Sequence, residues 1–313
     1  MIQVHDLKKY FKENKAVDGI SLNIEKGELI SILGPNGAGK TTLIRMLTTI
    51  LTPTSGNAFI NGFDIKTGKE EIVKCIGVCP QDIVIYDFLT AEENMEFVAK
   101  MHGLTNNKSK ETTRIILKRF GIGNRKKKPK EFSGGMKRRL NLAMALVSNP
   151  KILFLDEPTV GLDPQARRVI WDYLLELKNK NTTIILTTHN MVEAEFLSDR
   201  IAIIDRGKII AQGTLNELKR DLGSENILEV SLFDQEDLDA VKRSLNRISF
   251  VNKINETKGR TTLVVSFQGN IKDQGQILQQ EINKVVKGIE NIQFRQNSLE
   301  DIFLNLTGRR LRD

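Results

Sequence analysis

Metal-binding side chains are scarce in this sequence, which holds 3 histidines and 2 cysteines, Cys75 and Cys79. A tetrahedral zinc site takes about four nitrogen or sulfur ligands at defined spacings, so a structural zinc site is excluded. The cysteines read instead as buried thiols in a reducing compartment. Aromatic residues are only 6% of the chain and do not interleave with arginine, which removes the usual base-stacking platform for single-stranded nucleic acid. No stretch approaches the roughly 18 consecutive apolar residues of a membrane-spanning helix. The opening MIQVHDLKKYF lacks the apolar segment of a secretory signal. These absences lead to the expectation of a cytoplasmic protein. Positive charge is in excess, at +8 net. It suits nucleic acid, an anionic membrane surface or a nucleotide, and does not choose among them.

What is present can build a normal core. With 40% hydrophobic and 27% charged residues, the 313-residue chain fits one large domain or two. Through the first 220 residues, short apolar runs alternate with helical patterns. ELISILG (28–34), KCIGVCP (74–80), KILFLDEP (151–158) and TTIILTTH (182–189) include consecutive apolar positions, as parallel strands buried on both faces do. Helical spacing appears between them at 39–51, 90–102, 108–120, 134–148, 164–180 and 190–198. RIAIIDRGKIIAQG (200–213) reads as a hairpin turned at Arg206-Gly207. The alternation predicts an α/β fold. After residue 222 the order changes. Strands are expected at ILEVSLF, TTLVVSF and IENIQFR, and helices at QEDLDAVKRSLNRI, 271–287 and SLEDIFLNLTG. They predict a small α+β module of loosely ferredoxin-like order behind a linker at GSEN (223–226).

GPNGAGKT (34–41) follows one of the expected strands and leads into the helix TTLIRMLTTI. Glycine, four residues and Gly-Lys-Thr in a strand–loop–helix context is the P-loop pattern. Its glycines let backbone N–H groups close around phosphate oxygens. Lys40 is placed to reach the β- and γ-phosphates and Thr41 to hold Mg²⁺. Gly34, Pro35, Asn36, Gly37, Ala38 and Gly39, with Thr42 behind Thr41, complete the candidate nucleotide cradle. ILFLDEP (152–158) ends a hydrophobic strand in two carboxylates. Unpaired buried charge is costly, and a Mg²⁺ ion beside Asp156 with a water awaiting deprotonation beside Glu157 accounts for both. ILTTHN (185–190) ends a further strand in His189, a position where a lone histidine is more often packed than functional. EFSGGMKRRL (131–140) opens a helix on Ser133-Gly134-Gly135. Bare N–H groups at a helix start attract an anion, and the stretch alone does not say which one.

Together these stretches resemble the nucleotide-binding subunit of ABC transporters, over about residues 1–220 and in that family's order. GPNGAGKT looks like its Walker A loop, CPQD places Gln81 at the Q-loop glutamine, and FSGGM looks like the signature. ILFLDEP is similar to Walker B, GLD (161–163) to the D-loop, and His189 to the switch histidine. Phe132 and Met136 depart from the usual Leu and Gln of the signature. SGGMKRR is similar to the variant in multidrug and antibiotic exporters of the daunorubicin-resistance type, whose membrane partners are ABC-2 type permeases. SLEDIFLNLTGR (298–309) looks like the end of that subfamily's extra C-terminal domain.

The resemblance implies an ABC cassette over 1–222, with a mostly parallel core sheet, an antiparallel β portion and a helical subdomain at about 84–150, followed by a small α+β domain over 225–313 with an assembly or regulatory role. It implies ATP and Mg²⁺ as cofactors, the metal being held by Thr41, Gln81 and Asp156. Glu157 becomes the general base, with Gln81 and His189 ordering the water. Phe11 stacks on adenine, with Tyr10 as the alternative. Two copies meet head to tail, so that Ser133, Gly134 and Gly135 serve an ATP held by the partner, and a homodimer builds two complete sites; Asp163 of the D-loop is a further nucleotide-binding residue. The implied function is ATP-driven export through a separate permease at the inner face of the cell membrane, with no nucleic acid partner. The rival is a soluble ABC ATPase acting on nucleic acid or a protein assembly. A single cassette without sustained heptads speaks against it. NRKKKPK (124–130) reads as a solvated loop or a contact with anionic lipid. The apolar stretch DIVIYDFLTAEENMEF (82–97) is expected either to pack within the domain or to meet the membrane subunit.

Overall fold

The computed structural model describes residues 1–122, 127–222, 226–257, 261–286 and 288–307. Linker residues 223–225, the first part of the basic run (124–126) and the last two residues of SLEDIFLNLTGR lie outside them. The chain divides into two compact units, the second beginning at Asn216.

The first unit opens with the hairpin β1 (Ile2–Phe11) and β2 (Asn14–Ile24), closed where Phe11 faces Asn14. β3 (Leu29–Leu33) and α1 (Lys40–Leu47) follow. β4 (Ser55–Ile60) and β5 (Phe63–Asp64) complete an antiparallel sheet in the order β2-β1-β4-β5. Then come α2 (Lys69–Cys75), β6 (Ile76–Cys79), α3 (Ala91–Met101), α4 (Asn106–Arg119) and α5 (Gly134–Leu146). β7 (Ile152–Asp156), α6 (Pro164–Asn179), β8 (Thr183–Thr188), α7 (Met191–Leu197), β9 (Arg200–Asp205) and β10 (Lys208–Gly213) close the unit. The central sheet runs β10-β9-β3-β8-β7-β6, parallel except for β10.

Side chains alternate across a strand, and here both faces are covered. Ile152, Phe154 and Ile185 enter one core with Leu43 and Leu47 of α1. Leu153, Leu155, Ile184 and Leu186 enter a second core with Leu140, Ile170 and Leu174. This is why these runs hold apolar residues at consecutive positions. α1 stops at Leu47, short of the expected residue 51. Thr49 turns left-handed at φ +62°, and the N–H groups of Ile50 and Leu51 fold back onto the Arg45 carbonyl. The 206–207 turn has positive φ at both residues, the requirement of a type I′ hairpin. Cys75 and Cys79 are free and buried. Burial pushes the Cys79 thiol up to about 12 and raises that of Cys75.

The second unit holds most of α8 (Leu215–Leu222), then β11 (Asn226–Leu232), α9 (Glu236–Leu245), β12 (Val251–Glu256), β13 (Thr262–Phe267), α10 (Ile271–Val285), β14 (Ile289–Gln296) and α11 (Leu299–Thr307). Its boundary therefore falls ahead of the expected residue 222. The antiparallel order β12-β13-β11-β14 is the ferredoxin-like arrangement of a βαββαβ chain. Leu228, Val230, Val265 and Phe267 pack with Leu238, Val241, Leu278 and Ile282 in a core of its own. Leu299, Ile302 and Phe303 are buried within the single chain.

Candidate functional site

Four neighbouring strands, β3, β8, β7 and β6, deliver the candidate residues from one edge of the central sheet. Each motif begins where its strand ends, since the carboxyl edge of a parallel sheet is where loops can gather around a ligand. β3 runs into Gly34, β8 into His189, β7 ends on Asp156 before Glu157, and β6 leads to Gln81.

The loop after β3 keeps its path because side chains are missing where space is shortest. A Cβ on Gly34 would lie 2.3 Å from the Ile204 carbonyl oxygen, and one on Gly39, at φ +103°, 2.2 Å from that of Ala16. α1 then begins with no side-chain cap and no acidic residue in its first turn. Its first N–H groups have no intrahelical acceptor, and this positive helix end opens on a cavity of about 380 Å³. The volume lies within the usual range of small-molecule sites.

The cavity is lined by Phe11, Pro35 through Thr42, Gln81 and Glu157, and also by Asn14 and Ala16 of β2, which the sequence motifs did not indicate. Phe11 is 47% exposed at the hairpin end. The Tyr10 hydroxyl instead donates to Asp18 at 2.6 Å, so Phe11 is the aromatic offered to the cavity. Lys40 Nζ donates to the carbonyls of Gly34 (2.7 Å) and Pro35 (3.1 Å) and lies 3.2 Å from Glu157 Oε1. That last contact is an ion pair without hydrogen-bonding geometry, because Oε1 is buried and accepts no bond. Glu157 Oε2 lies 2.8 Å from His189 Nδ1. The backbone of Glu157 is left-handed, at φ +52°, and its N–H donates to the Thr187 carbonyl at 3.1 Å.

The Asp156 carboxylate is 2% exposed and accepts from the Thr187 hydroxyl. The Thr41 hydroxyl reaches Gln81 Oε1 at 3.5 Å. Hydroxyl, amide oxygen and carboxylate are all hard oxygen donors, the set that suits Mg²⁺. Among the described residues no cluster of three His, Cys, Asp or Glu could hold a metal alone. A Mg²⁺ here would complete its shell with phosphate oxygens and water, as this ion usually does. The residues present therefore fit the cofactor.

Ser133, Gly134, Gly135 and Asp163 do not line the cavity. Ser133 caps α5 by accepting from the Met136 N–H at 3.3 Å, and a Cβ on Gly134 would meet nothing within 4 Å. Asp163 caps α6, accepting from the Ala166 N–H at 2.8 Å. Behind Glu157, the carboxyl of buried Glu193 accepts from Thr159 (2.7 Å) and Trp171 (2.9 Å). Burial raises its pKa against the pull of those bonds. In the stretch after Gln81, Val84, Tyr86 and Phe88 are exposed, Phe88 by 81%. The buried Asn94 amide ties this segment down through the Tyr86 backbone.

A phosphate-sized cradle on a parallel sheet, with carboxylates on a nearby strand, is the working arrangement of a P-loop nucleotide hydrolase, and the fold and site place the chain in that class. The family model described as ABC transporter matches residues 17–160. The linearmycin resistance ATP-binding protein LnrL of Bacillus subtilis is 38% identical over 100% of both chains. The daunorubicin/doxorubicin resistance ATP-binding protein DrrA of Streptomyces peucetius is 37% identical over 98% of this chain and 92% of its own. Among solved structures, a dimeric ATP-binding cassette with ADP and Pi is 27% identical, covers 69% of this chain and 99% of its own, and superimposes with a TM-score of 0.65. The chain belongs to the ABC transporter ATP-binding proteins, and its activity is ATP hydrolysis with Mg²⁺ as cofactor.

Proposed function

We propose that this chain is the ATP-hydrolysing subunit of an exporter for an antibiotic-type compound, working as a head-to-tail homodimer beneath a separate ABC-2 type permease. Lys40 and the uncapped start of α1 bind the phosphates of ATP, and Phe11 stacks on its adenine. Glu157 takes the proton of the attacking water, with His189 and Gln81 orienting the reacting groups. Mg²⁺, held through Thr41, Gln81 and Asp156, would neutralise charge building on the phosphates. Ser133, Gly134, Gly135 and Asp163 serve the nucleotide of the partner. The exposed apolar segment at Val84, Tyr86 and Phe88 is the surface offered to the permease, which holds the chain at the cytoplasmic face of the membrane. Among the described residues no helix is long and apolar enough to cross a membrane itself. The rival reading, a soluble ATPase acting on nucleic acid or a protein assembly, is not favoured by the full-length resistance relatives.

One observation carries the two-chain reading. The start of α5 is exposed and lies outside the cavity that holds Lys40 and Glu157. The test is complementation. A Lys40→Ala chain and a Ser133→Arg chain, each inactive alone, are mixed under distinct tags. The mixed dimers hold one site with both defects and one with neither, so activity should return to about half the wild-type level. No return in dimers shown to be mixed would mean that each site is built within one chain.

A further inference from the structure

The helix that begins at Ser133 also reaches the site of its own chain. Arg138 is 5% exposed, and its guanidinium is committed to backbone oxygens. Nη2 donates to the Glu157 carbonyl at 2.6 Å. Nη1 donates to the Gln81 carbonyl and, at 3.4 Å, to that of Pro80. Nε is buried without an acceptor, so the two Nη groups carry the whole hold. One turn on, the buried Asn141 accepts from the Val84 N–H at 3.1 Å and donates to the Pro80 and Asp82 carbonyls. The stretch 80–84 is thus pinned to α5. Glu157 has a backbone that needs holding, because a non-glycine residue keeps a left-handed conformation only where its surroundings enforce it. Thr187 grips its N–H side and Arg138 its carbonyl side.

We propose that Arg138 is a positioning residue for hydrolysis: it fastens the Glu157 and Gln81 peptides of one chain to the helix whose exposed start serves the ATP of the other chain. The inference rests on the two-chain reading above. The base and the glutamine of one site then move with the part of the chain that senses its neighbour's nucleotide. The guanidinium reaches the Glu157 and Gln81 carbonyls from two separate nitrogens held in one plane, a geometry that the single ammonium nitrogen of lysine does not reproduce.

The test uses full-length chains. Arg138→Gln should bind MgATP within about twofold of wild type while kcat falls about tenfold or more, and Arg138→Lys should recover only part of that loss. Mixed with Ser133→Arg chains, Arg138→Gln should restore activity, because the intact base and the intact signature then meet in one site. Mixed with Lys40→Ala it should not. The opposite pairing, recovery with Lys40→Ala, would overturn the proposal by placing the defect in the signature. A joint loss of MgATP affinity and melting temperature in both Arg138 variants would also overturn it, as the mark of a folding role. If Lys40→Ala and Ser133→Arg fail to complement each other, the two-chain reading is lost. The split between kcat and affinity in Arg138→Gln alone then decides whether Arg138 positions the base.

Discussion

Glu157 meets two demands with different parts of one residue. Its carboxylate lies between Lys40 and His189, while its backbone is held left-handed from both sides. Glu157→Gln keeps the shape and removes the ability to take a proton. The variant should retain MgATP affinity and lose about 10²–10⁴ in kcat. Steady-state hydrolysis measured beside equilibrium nucleotide binding checks this, and near wild-type turnover would assign the base elsewhere. At this scale much of the site was readable in the sequence. Phosphate and Mg²⁺ chemistry restrict both residue type and local spacing, so GPNGAGKT and LDEP stand out in a plain string of letters. Arg138, Asn14 and Ala16 did not stand out. Arg138 works on backbone carbonyls, and the other two by where a hairpin places them. Neither role leaves a local pattern, because both depend on which loops tertiary packing brings together.

The elements divide in the same way. β3, β7 and β8 were recognisable because burial on both faces favours apolar residues at consecutive positions. β12 was not, since an edge strand such as VNKINE leaves half its residues in water and carries no clear alternation. The short helix α2, which starts without a side-chain cap, was also missed. α11 begins on a reciprocal cap: the Ser298 N–H and hydroxyl donate to Asp301, and the Asp301 N–H donates back to the Ser298 hydroxyl. Arg295 joins Asp301 to Glu229 of β11. Burial opposes the Asp301 charge, but Arg295 and Ser298 outweigh it and hold this carboxyl below its ordinary range. A carboxyl lowered by folding adds stability above its unfolded pKa and loses it as pH falls through the folded value. The second unit should therefore lose stability below about pH 4. At neutral pH, Asp301→Asn should cost about 1–3 kcal/mol, and the acid-side fall should become shallower. Denaturant unfolding of both forms at a series of pH values measures the two effects together.

At the scale of the whole molecule, each unit has its own buried core, and every ATP motif lies in the first. A chain ended after Leu215 should bind MgATP within about twofold of the full-length protein. Equilibrium titration of the two forms is the check, and a larger loss would give the second unit a part in the nucleotide site. One face of α11 carries Leu299, Ile302, Phe303 and Leu306, an amphipathic pattern that suits packing within the unit or contact with a second copy. Leu299, Ile302 and Phe303 are covered within one chain, and Leu306 is the residue of that face left exposed. The two native thiols bear on how such motions are followed. Thiol reagents attack the thiolate, and burial of Cys79 both disfavours its thiolate, raising the thiol to about 12, and shields the sulfur from reagent. Cys75 is also buried and also raised. The chain is therefore nearly blank to maleimide dyes as nature made it. A single cysteine placed at exposed Phe88 would be the one position a fluorophore finds, and distance changes between two labelled copies can be recorded with both native cysteines left in place.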